Sequence, residues 1–244
     1  LQQIPSRDKI LAPLCKSIFV PFEGEKWYSL DFSNQEGRLV VHYANALNCE
    51  GAAELAFEFS KDPNLDMHQR GADLAGITRT EAKAIVLGIM YGMGITKLGI
   101  QLGLNVNQAK LLRDKYDNML PFLQQLNDKC KQAMTNRGYI KTIGGRKSKL
   151  DSPVYSEGKM RTFEYKSLNK LIQGSAADQT IAAMIMAYKA GIPVLFPVHD
   201  SFEISGTREQ AEKMRDIMET AIKLSIPMVA DGNLEGGDSW ELAK

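Results

Sequence analysis

The sequence predicts an α+β fold in which one antiparallel sheet, built from both ends of the chain, carries a long helical insertion. Two observations predict this architecture: segments with strand patterns cluster near the two ends, and segments with helical periodicity fill the middle. The chain has 244 residues, 44% of them hydrophobic, so it can bury a sizeable core as one domain or as two interlocked subdomains.

The strands define the predicted sheet. KWYSLDF at 26–32 is predicted as one strand, and the apolar stretch VLFPVHDSFEIS at 194–205 as a β-hairpin. A short strand is expected at about 227–230. A separate hairpin over 138–150 is expected to turn at its Gly-Gly pair.

Helices are predicted from apolar spacing and from residues typical of helix ends. Thr78 and Glu81 form a capping box at the start of one helix, and Pro121 and Gly138 are typical of the start and end of another. The longest helix is expected to be interrupted near Gly174. The predicted helices cover 34–47, 51–60, 66–74, 78–91, 107–119, 121–137, 160–189 and 207–224.

Composition argues against several classes of protein. Three scattered cysteines without a CxxC pair argue against a disulfide framework or a zinc site, and they favour a reducing compartment. No apolar run approaches 18 residues and no signal peptide is visible, so we expect no membrane span. The chain starts with LQQIP rather than with Met, which favours a segment of a longer protein.

The charges are unevenly distributed. A net charge of +1 does not by itself indicate a nucleic-acid-binding protein. Residues 137–170, however, contain nine Lys or Arg against three acidic residues, and residues 203–241 contain nine acidic residues against four basic ones. The basic segment is either a solvated surface or the contact for an anionic partner.

Two aspartates end or interrupt predicted strands. Asp31 closes the first strand, and Asp200 lies at the tip of the hairpin beside apolar residues, where an unpaired carboxylate is costly. Each could bond to the backbone of a turn, although Ser33 is the better cap for the helix after Asp31. Alternatively, the two carboxylates share one or two divalent cations, and their oxygens suit Mg²⁺.

The helix predicted at 78–91 carries a stripe about 18 Å long, made of residues that recur every fourth position: Arg79, Lys83, Leu87 and Tyr91. Like charges four residues apart, and a cation in the first turn, are both unfavourable. A bound triphosphate would offset this cost, and the Tyr91-Gly92 pair offers a ring with a gap for a flat ligand. The alternative is an ordinary amphipathic helix with its cations in solvent.

Other polar residues have two interpretations each. Glu36, three residues after Ser33, fits a capping box. A single histidine such as His68 is more often structural than functional. Asn169 and Gln173, which lie beside lysines on one predicted helix, could reach nucleotides or simply face solvent. The P-loop, GxSxG, HExxH and EF-hand patterns do not occur in the sequence.

The order of three motifs resembles that of family A DNA polymerases, which comprise the bacterial polymerase I type and its phage relatives. DFSNQEGR (31–38) is similar to motif A, RTEAKAIVLGIMYG (79–92) to motif B, and VHDS (198–201) to motif C. The family's order is also followed by DMH (66–68), the Gly-Gly-Arg turn (144–146) and LIQGSAAD (171–178). LQQIP (1–5) resembles the stretch before the palm. The resemblance therefore spans nearly the whole chain.

The resemblance implies a right-hand polymerase fold that lacks the thumb. Residues 1–36 would form the first part of the palm, 37–165 the fingers with connecting helices, and 166–244 the second part of the palm with the metal-binding hairpin. The thumb and any proofreading exonuclease would lie upstream of Leu1. We expect a DNA-directed DNA polymerase of the cytoplasm, bacterial or of a virus-infected host, acting in replication or repair.

The resemblance also implies the site. Two Mg²⁺ ions, which Mn²⁺ could replace, would be held by Asp31, Asp200 and the backbone carbonyl of Phe32. Deoxynucleoside triphosphate contacts are implied for Arg79, Lys83, Tyr91, His68, Glu36 and Leu87, where Glu36 would exclude a ribose 2′-hydroxyl. Primer-template DNA contacts are implied for Arg38, Arg146, Lys166, Asn169, Gln173 and His199.

The implied reaction is in-line attack of a primer 3′-oxygen on the α-phosphate with release of pyrophosphate. The helix after Thr78 would swing over the bound nucleotide. A helicase or primase would be further partners. The alternatives are a truncated primer-template binding module with little activity of its own, and a metal-dependent nuclease.

Three positions depart from the family pattern. Leu87 stands where Phe or Tyr is usual, which predicts altered handling of the sugar. Ser201 replaces the Glu of motif C, and Glu203 on the same strand face could stand in for it. Lys166 replaces a usual Arg, which weakens any bidentate contact.

Overall fold

The computed structural model describes residues 8–156 and 158–243, so the LQQIP resemblance lies outside the described part. The chain forms two compact units. The sheet unit comprises the residues up to Gln35 and from Ala176 onward, and the helical unit comprises Glu36–Ser175. The three palm and fingers segments implied by the resemblance stay a prediction.

The described elements, in chain order, are α1 (Leu11–Ser17), β1 (Lys26–Phe32), α2 (Gln35–Ala46), α3 (Ala52–Lys61), α4 (Met67–Ala75), α5 (Arg79–Met90), α6 (Ile95–Leu102), α7 (Val106–Met119), α8 (Pro121–Arg137), β2 (Ile140–Lys141), β3 (Lys147–Ser148), β4 (Val154–Ser156), β5 (Lys159–Arg161), a 3₁₀ turn (Glu164–Lys166), α9 (Ser167–Lys189), β6 (Val194–Val198), β7 (Ser201–Gly206), α10 (Arg208–Thr220) and β8 (Ala230–Gly232).

The sheet unit contains a four-stranded antiparallel sheet with strand order β6-β7-β1-β8. Side chains alternate between its faces, because successive residues of a strand point to opposite sides. One face packs Leu30, Phe32, Phe202 and Ile204 with α9 and α10 into a core. The other face carries Trp27, Ser29 and Asp31 from β1, and a cluster of aromatic rings packs around Trp27. The predicted α+β fold is confirmed.

In the helical unit, α5 is held in place by the packing of its apolar side. Seven of its residues are buried, and the predicted capping box is present, with Thr78 Oγ1 accepting from the Glu81 backbone N–H and the Glu81 carboxylate accepting from the Thr78 N–H. The cap fixes where the helix starts, and therefore which residues face outward.

The long helix predicted at 160–189 begins later than expected, at Ser167. Met160 and Arg161 belong to the β4–β5 hairpin instead, in which Tyr155 pairs with Met160 and Gly158 has a φ of +74°, and Glu164–Lys166 form the 3₁₀ turn. The predicted interruption at Gly174 is also wrong, since α9 is continuous there. A Cβ at Gly174 would lie 2.6 Å from the Thr142 side chain, so the glycine permits a close approach rather than a helix break.

Other differences concern the ends of elements and three elements that were not predicted. Helices α1 and α6 and the β4–β5 hairpin were missed; α6 is only eight residues long and lies between Gly94 and Gly103, which are its caps. The last strand is shifted to Ala230–Gly232, and α10 ends at Thr220. Of the helices described, none is long and apolar enough to cross a membrane.

Candidate functional site

The hairpin that carries Asp200 has a two-residue loop. Val198 pairs with Ser201, which leaves only His199 and Asp200 between β6 and β7. His199 has a φ of +56°, in the left-handed region that favours glycine. A residue other than glycine that is kept in this strained backbone conformation is typical of functional loops. The exposed imidazole of His199 therefore stands beside Asp200 at some conformational cost.

The sheet brings the two predicted metal-binding aspartates together. Asp31 pairs with Ser201 across β1 and β7, and the Phe32 backbone N–H donates to the Asp200 carbonyl at 3.1 Å. Asp31 is exposed and Asp200 is half-buried. Such carboxylate oxygens at adjacent strand ends are the hard donors that Mg²⁺ prefers, with water completing its shell. The donor set therefore fits the cation, although no group of three or more His, Cys, Asp or Glu side chains suited to a metal occurs in the described residues.

A further carboxylate, which the sequence pattern did not predict, lies beside Asp31. Asp231 of β8 lies directly opposite Asp31 on the other side of β1, so the two side chains share a face of the sheet. The strand predicted at 227–230 ended one residue before Asp231. Extending it through the Gly232 that follows would have revealed the acidic residue.

The stripe predicted on α5 faces outward as expected. Arg79, Lys83 and Tyr91 are exposed and Leu87 is half-buried, whereas the residues between Lys83 and Tyr91 other than Leu87 are buried. Arg79 Nε donates to the Asp66 carboxylate at 2.6 Å, which gives this cation a fixed partner within the helical unit. The structure thus presents the two cations at one surface, and their role toward a triphosphate stays a prediction.

Asp66 and His68 lie at the start of α4 next to this stripe. Asp66 caps α4 by accepting from the backbone N–H of His68 and Gln69. Burial alone would raise the pKa of Asp66, but the hydrogen bonds from Arg79 and the backbone outweigh it and the pKa is lowered. Burial lowers the pKa of His68, and the charges of Lys83 and Arg79 lower it further against the opposing effect of Asp66.

His68 Nδ1 is buried and has no hydrogen-bond partner among the residues that the structure describes. A buried imidazole with a lowered pKa is neutral at pH 7, so one of its nitrogens is a donor and the other an acceptor. This geometry leaves His68 able to bind a ligand atom that lies beside Arg79 and Lys83.

Tyr91, Glu36 and Gln173 also meet in the helical unit. Gln173 Nε2 donates to the Tyr91 hydroxyl at 3.0 Å. Burial and the nearby Glu36 carboxylate raise the pKa of Tyr91, and the hydrogen bond from Gln173 opposes them. The gap expected beside Tyr91 is not open, because the Tyr165 ring packs against Gly92 and fills the space that a Cβ would need.

The predicted DNA contacts are placed differently from one another. Arg146 Nη2 donates to the Gly174 carbonyl at 2.7 Å, and Lys166 lies 4.5 Å from the centre of the Phe163 ring. The Nδ2 atom of Asn169 is buried without a hydrogen-bond partner in the part of the chain described.

Arg38 is the exception among these residues. Its side chain is only 1% exposed, its guanidinium donates to the Pro63 carbonyl, and it lies over the Phe59 ring at 5.1 Å. These contacts hold Arg38 inside the helical unit, and its predicted DNA contact stays a prediction.

Glu203 was predicted to stand in for the acidic residue that Ser201 replaces. The residue is 1% exposed, its carboxylate accepts hydrogen bonds from Trp27 and Ser29, and the Ser201 hydroxyl lies 3.3 Å from Oε1. Glu203 does share a sheet face with Asp31, but its oxygens are used in this buried network.

Comparison with known proteins gives consistent matches along the whole chain. A family model described as DNA polymerase family A matches residues 1–242. The DNA-directed DNA polymerase of Pseudomonas phage M6 is 36% identical, over 98% of this chain and 42% of the phage protein. DNA polymerase I of Streptococcus pneumoniae is 29% identical, over 100% of this chain and 29% of that protein.

Among solved structures, the POL domain of Pol1 from M. smegmatis, in complex with DNA primer-template and dNTP, matches with a TM-score of 0.81 and 25% sequence identity. The match covers 100% of this chain and 45% of that one. The chain thus spans less than half the length of the relatives it matches.

Proposed function

This chain belongs to DNA polymerase family A, and we propose that it carries out template-directed DNA synthesis as a DNA-directed DNA polymerase. The observation that carries the proposal is the register that joins Asp31 and Asp200, with the Phe32 N–H bonded to the Asp200 carbonyl. Two carboxylates from distant parts of the sequence meet at one edge of a sheet, which is an arrangement suited to divalent cations.

In the sheet unit, Asp31, Asp200 and the Phe32 carbonyl would hold two Mg²⁺ ions, or Mn²⁺ in their place. When bound, these cations activate the attacking primer 3′-oxygen and stabilise the charge on the leaving pyrophosphate. The role of the protein is to fix the two carboxylates relative to each other, which the β1–β7 pairing does through the main chain.

In the helical unit, Arg79 and Lys83 would bind the triphosphate of the incoming deoxynucleotide. Asp66 holds the Arg79 guanidinium in place before any substrate arrives, and a positioned cation loses less freedom on binding. The neutral His68 would donate a hydrogen bond to a phosphate oxygen. Tyr91 would lie near the nascent base pair, and Glu36 would exclude a 2′-hydroxyl, whether or not it also caps α2.

Primer-template DNA would be contacted by Arg146, Lys166, Asn169, Gln173 and His199. The basic segment 137–170 supplies the positive charge for this contact. Replication or repair, a cytoplasmic location and cooperation with a helicase or primase are the settings in which this activity would be used.

A second candidate function is a primer-template binding module with little activity of its own. It is favoured by the coverage of only 42% of the phage relative, since parts of the catalytic protein could lie in the remainder.

The test is primer extension on a defined DNA template with Mg²⁺ and deoxynucleotides. The native chain should extend the primer, and Asp200→Asn should reduce extension on the order of 10³-fold because a ligand of the catalytic cations is lost. Asp216→Asn, which removes an exposed carboxylate from α10 of the same unit, is the matched control and should retain activity. Binding without extension by the native chain would favour the second candidate, and degradation of DNA without triphosphates would favour a nuclease.

A further inference from the structure

Glu203 is a buried carboxylate on the sheet face that carries Asp31. Trp27 Nε1 donates to its Oε2 at 2.8 Å, and Ser29 Oγ donates to its Oε1 at 2.9 Å. Ser201 Oγ lies 3.3 Å from the same Oε1. A buried carboxylate is tolerated only where donors replace water, and Trp27 and Ser29 supply two such donors, with the Ser201 hydroxyl as a third polar neighbour.

The aromatic cluster on this face shields the carboxylate from water. The Trp27 ring stacks on Trp240 with centroids 6.1 Å apart, and Phe196, which pairs with Glu203 across β6 and β7, packs against both rings. Hydrogen bonds in such a dry environment are stronger than at the surface, and a donor left without its acceptor there is costly.

The network of Glu203 reaches the metal-binding hairpin through Ser201. Ser201 follows Asp200 directly and lies opposite Asp31 in the β1–β7 register. Its hydroxyl also lies 3.0 Å from the carbonyl of Val198, on the other side of the two-residue loop. The single proton of the Ser201 hydroxyl thus lies between two acceptors, the Val198 carbonyl and the Glu203 carboxylate, so this hydroxyl links Glu203 to the far side of the loop.

Ser29 provides a contrast within the same network. It also donates to Glu203, but it lies in the middle of β1 and pairs with Glu203 rather than with the hairpin loop. Removal of either hydroxyl takes one donor from Glu203, whereas only removal of the Ser201 hydroxyl frees the loop that carries Asp200.

We propose that Glu203 is a positioning residue that acts through Ser201 to fix the two-residue loop that carries Asp200 at the end of β1. Glu203 does not replace the missing acidic residue of motif C as a ligand, because its oxygens already accept hydrogen bonds in the buried network. Through Ser201, Glu203 fixes the position of the loop and therefore the spacing between Asp31 and Asp200. The effect on cation binding rests on the proposed function, whereas the effect on the hairpin does not.

The first measurement is amide hydrogen exchange at Phe32, whose N–H donates to the Asp200 carbonyl and so reports directly on the join between the two strands. Glu203→Gln and Ser201→Ala should each speed exchange at Phe32 by about tenfold, the effect of losing a net hydrogen bond. Ser201→Thr keeps the hydroxyl and should retain the native rate. Ser29→Ala is the matched control and should change the rate by less than about twofold.

The second measurement is Mn²⁺ binding followed by electron paramagnetic resonance, with Asp200→Asn as the reference for a lost site. Ser201→Ala and Glu203→Gln should weaken Mn²⁺ binding several-fold, and Ser29→Ala should not. Native exchange at Phe32 in folded Ser201→Ala would overturn the proposal, as would equal acceleration in Ser29→Ala. If Glu203→Gln fails to fold, exchange at Phe32 in Ser201→Ala and Ser201→Thr still decides whether the Ser201 hydroxyl holds the loop. Accelerated exchange together with no Mn²⁺ binding by the native chain would instead support the positioning role and contradict the proposed metal site.

Discussion

The two units hold their candidate site residues in different ways. In the sheet unit, Asp31 and Asp200 are placed by main-chain pairing between β1 and the hairpin. In the helical unit, Arg79 and Lys83 are placed by the helical repeat of α5, and both side chains are exposed. The positions of the carboxylates are thus set by backbone hydrogen bonds, whereas the cations lie at the ends of long side chains, where Arg79 is held by its ion pair with Asp66.

This difference predicts how each region responds to substitution. A change of side chain at Asp31 or Asp200 removes chemistry but leaves the backbone ladder in place, because the ladder does not involve the side chains. On α5 the geometry of each cation depends on its own contacts, of which the ion pair between Arg79 and Asp66 is one. The predictions below test this contrast, from the largest expected effect to the smallest.

Lys83→Ala should weaken deoxynucleotide binding by about 10- to 100-fold, which corresponds to one hydrogen bond to a charged group. Melting temperature should be unchanged, since Lys83 is exposed. The measurement is the KM for deoxynucleotide in primer extension, or its affinity for the chain with primer-template bound. Lys110→Ala removes an exposed lysine from α7 of the same unit and is the control. An equal change in both variants would show that only the overall charge matters.

Leu87→Tyr should increase the acceptance of dideoxynucleotides several-fold, because it places an aromatic ring with a hydroxyl at the position where the family usually has Phe or Tyr. Leu87 is half-buried within the α5 stripe, so the larger side chain has an exposed side on which to extend. Chain-termination ratios on a defined template measure the effect. Leu87→Phe lacks the hydroxyl and separates ring size from hydrogen bonding. Identical ratios in all three proteins would contradict a sugar-sensing role at this position.

The elements that can be predicted from the sequence are those whose signals are local. β1 was predicted to the residue, and the capping box of α5 was confirmed, because alternation, apolar spacing and cap residues are encoded within a few positions. The helix break predicted at Gly174 was wrong because the glycine makes room for the Thr142 side chain, which is remote in sequence. The register that joins Asp31 to Asp231 and Ser201 is likewise non-local.

The candidate site shows the same division. The motifs singled out Asp31, Asp200 and the α5 stripe, since each follows from a strand end or a helical period. The burial of Arg38 and the network around Glu203 were not predictable, because both depend on which side chains lie across the fold from them. Tyr165 filling the space beside Gly92 is a third case of this kind.

The loop residue His199 offers a test of backbone strain in the sheet unit. At a φ of +56°, alanine carries the cost of the left-handed region and glycine does not, so His199→Gly should be more stable than His199→Ala by about 1 kcal/mol. Denaturant unfolding measures the difference. The same pair at the exposed Lys213 in α10 is the control, where glycine should be the less stable by about 1 kcal/mol. The same sign at both positions would rule out strain at His199.

The smallest effect is expected at Asp231, which lies opposite Asp31 across β1 and β8. Like charges directly opposite each other on a sheet are unfavourable, so Asp231→Asn should raise the free energy of unfolding by roughly 0.2–1 kcal/mol in metal-free, low-salt buffer. The gain should shrink as Mg²⁺ is added, because a bound cation already relieves the repulsion in the native chain. Asp238→Asn, which removes a partner of Lys26 instead, should bring no gain. A gain at Asp231 that does not respond to Mg²⁺ would mean that the carboxylates repel each other without sharing a cation, which would weaken the case for a metal site at this edge of the sheet.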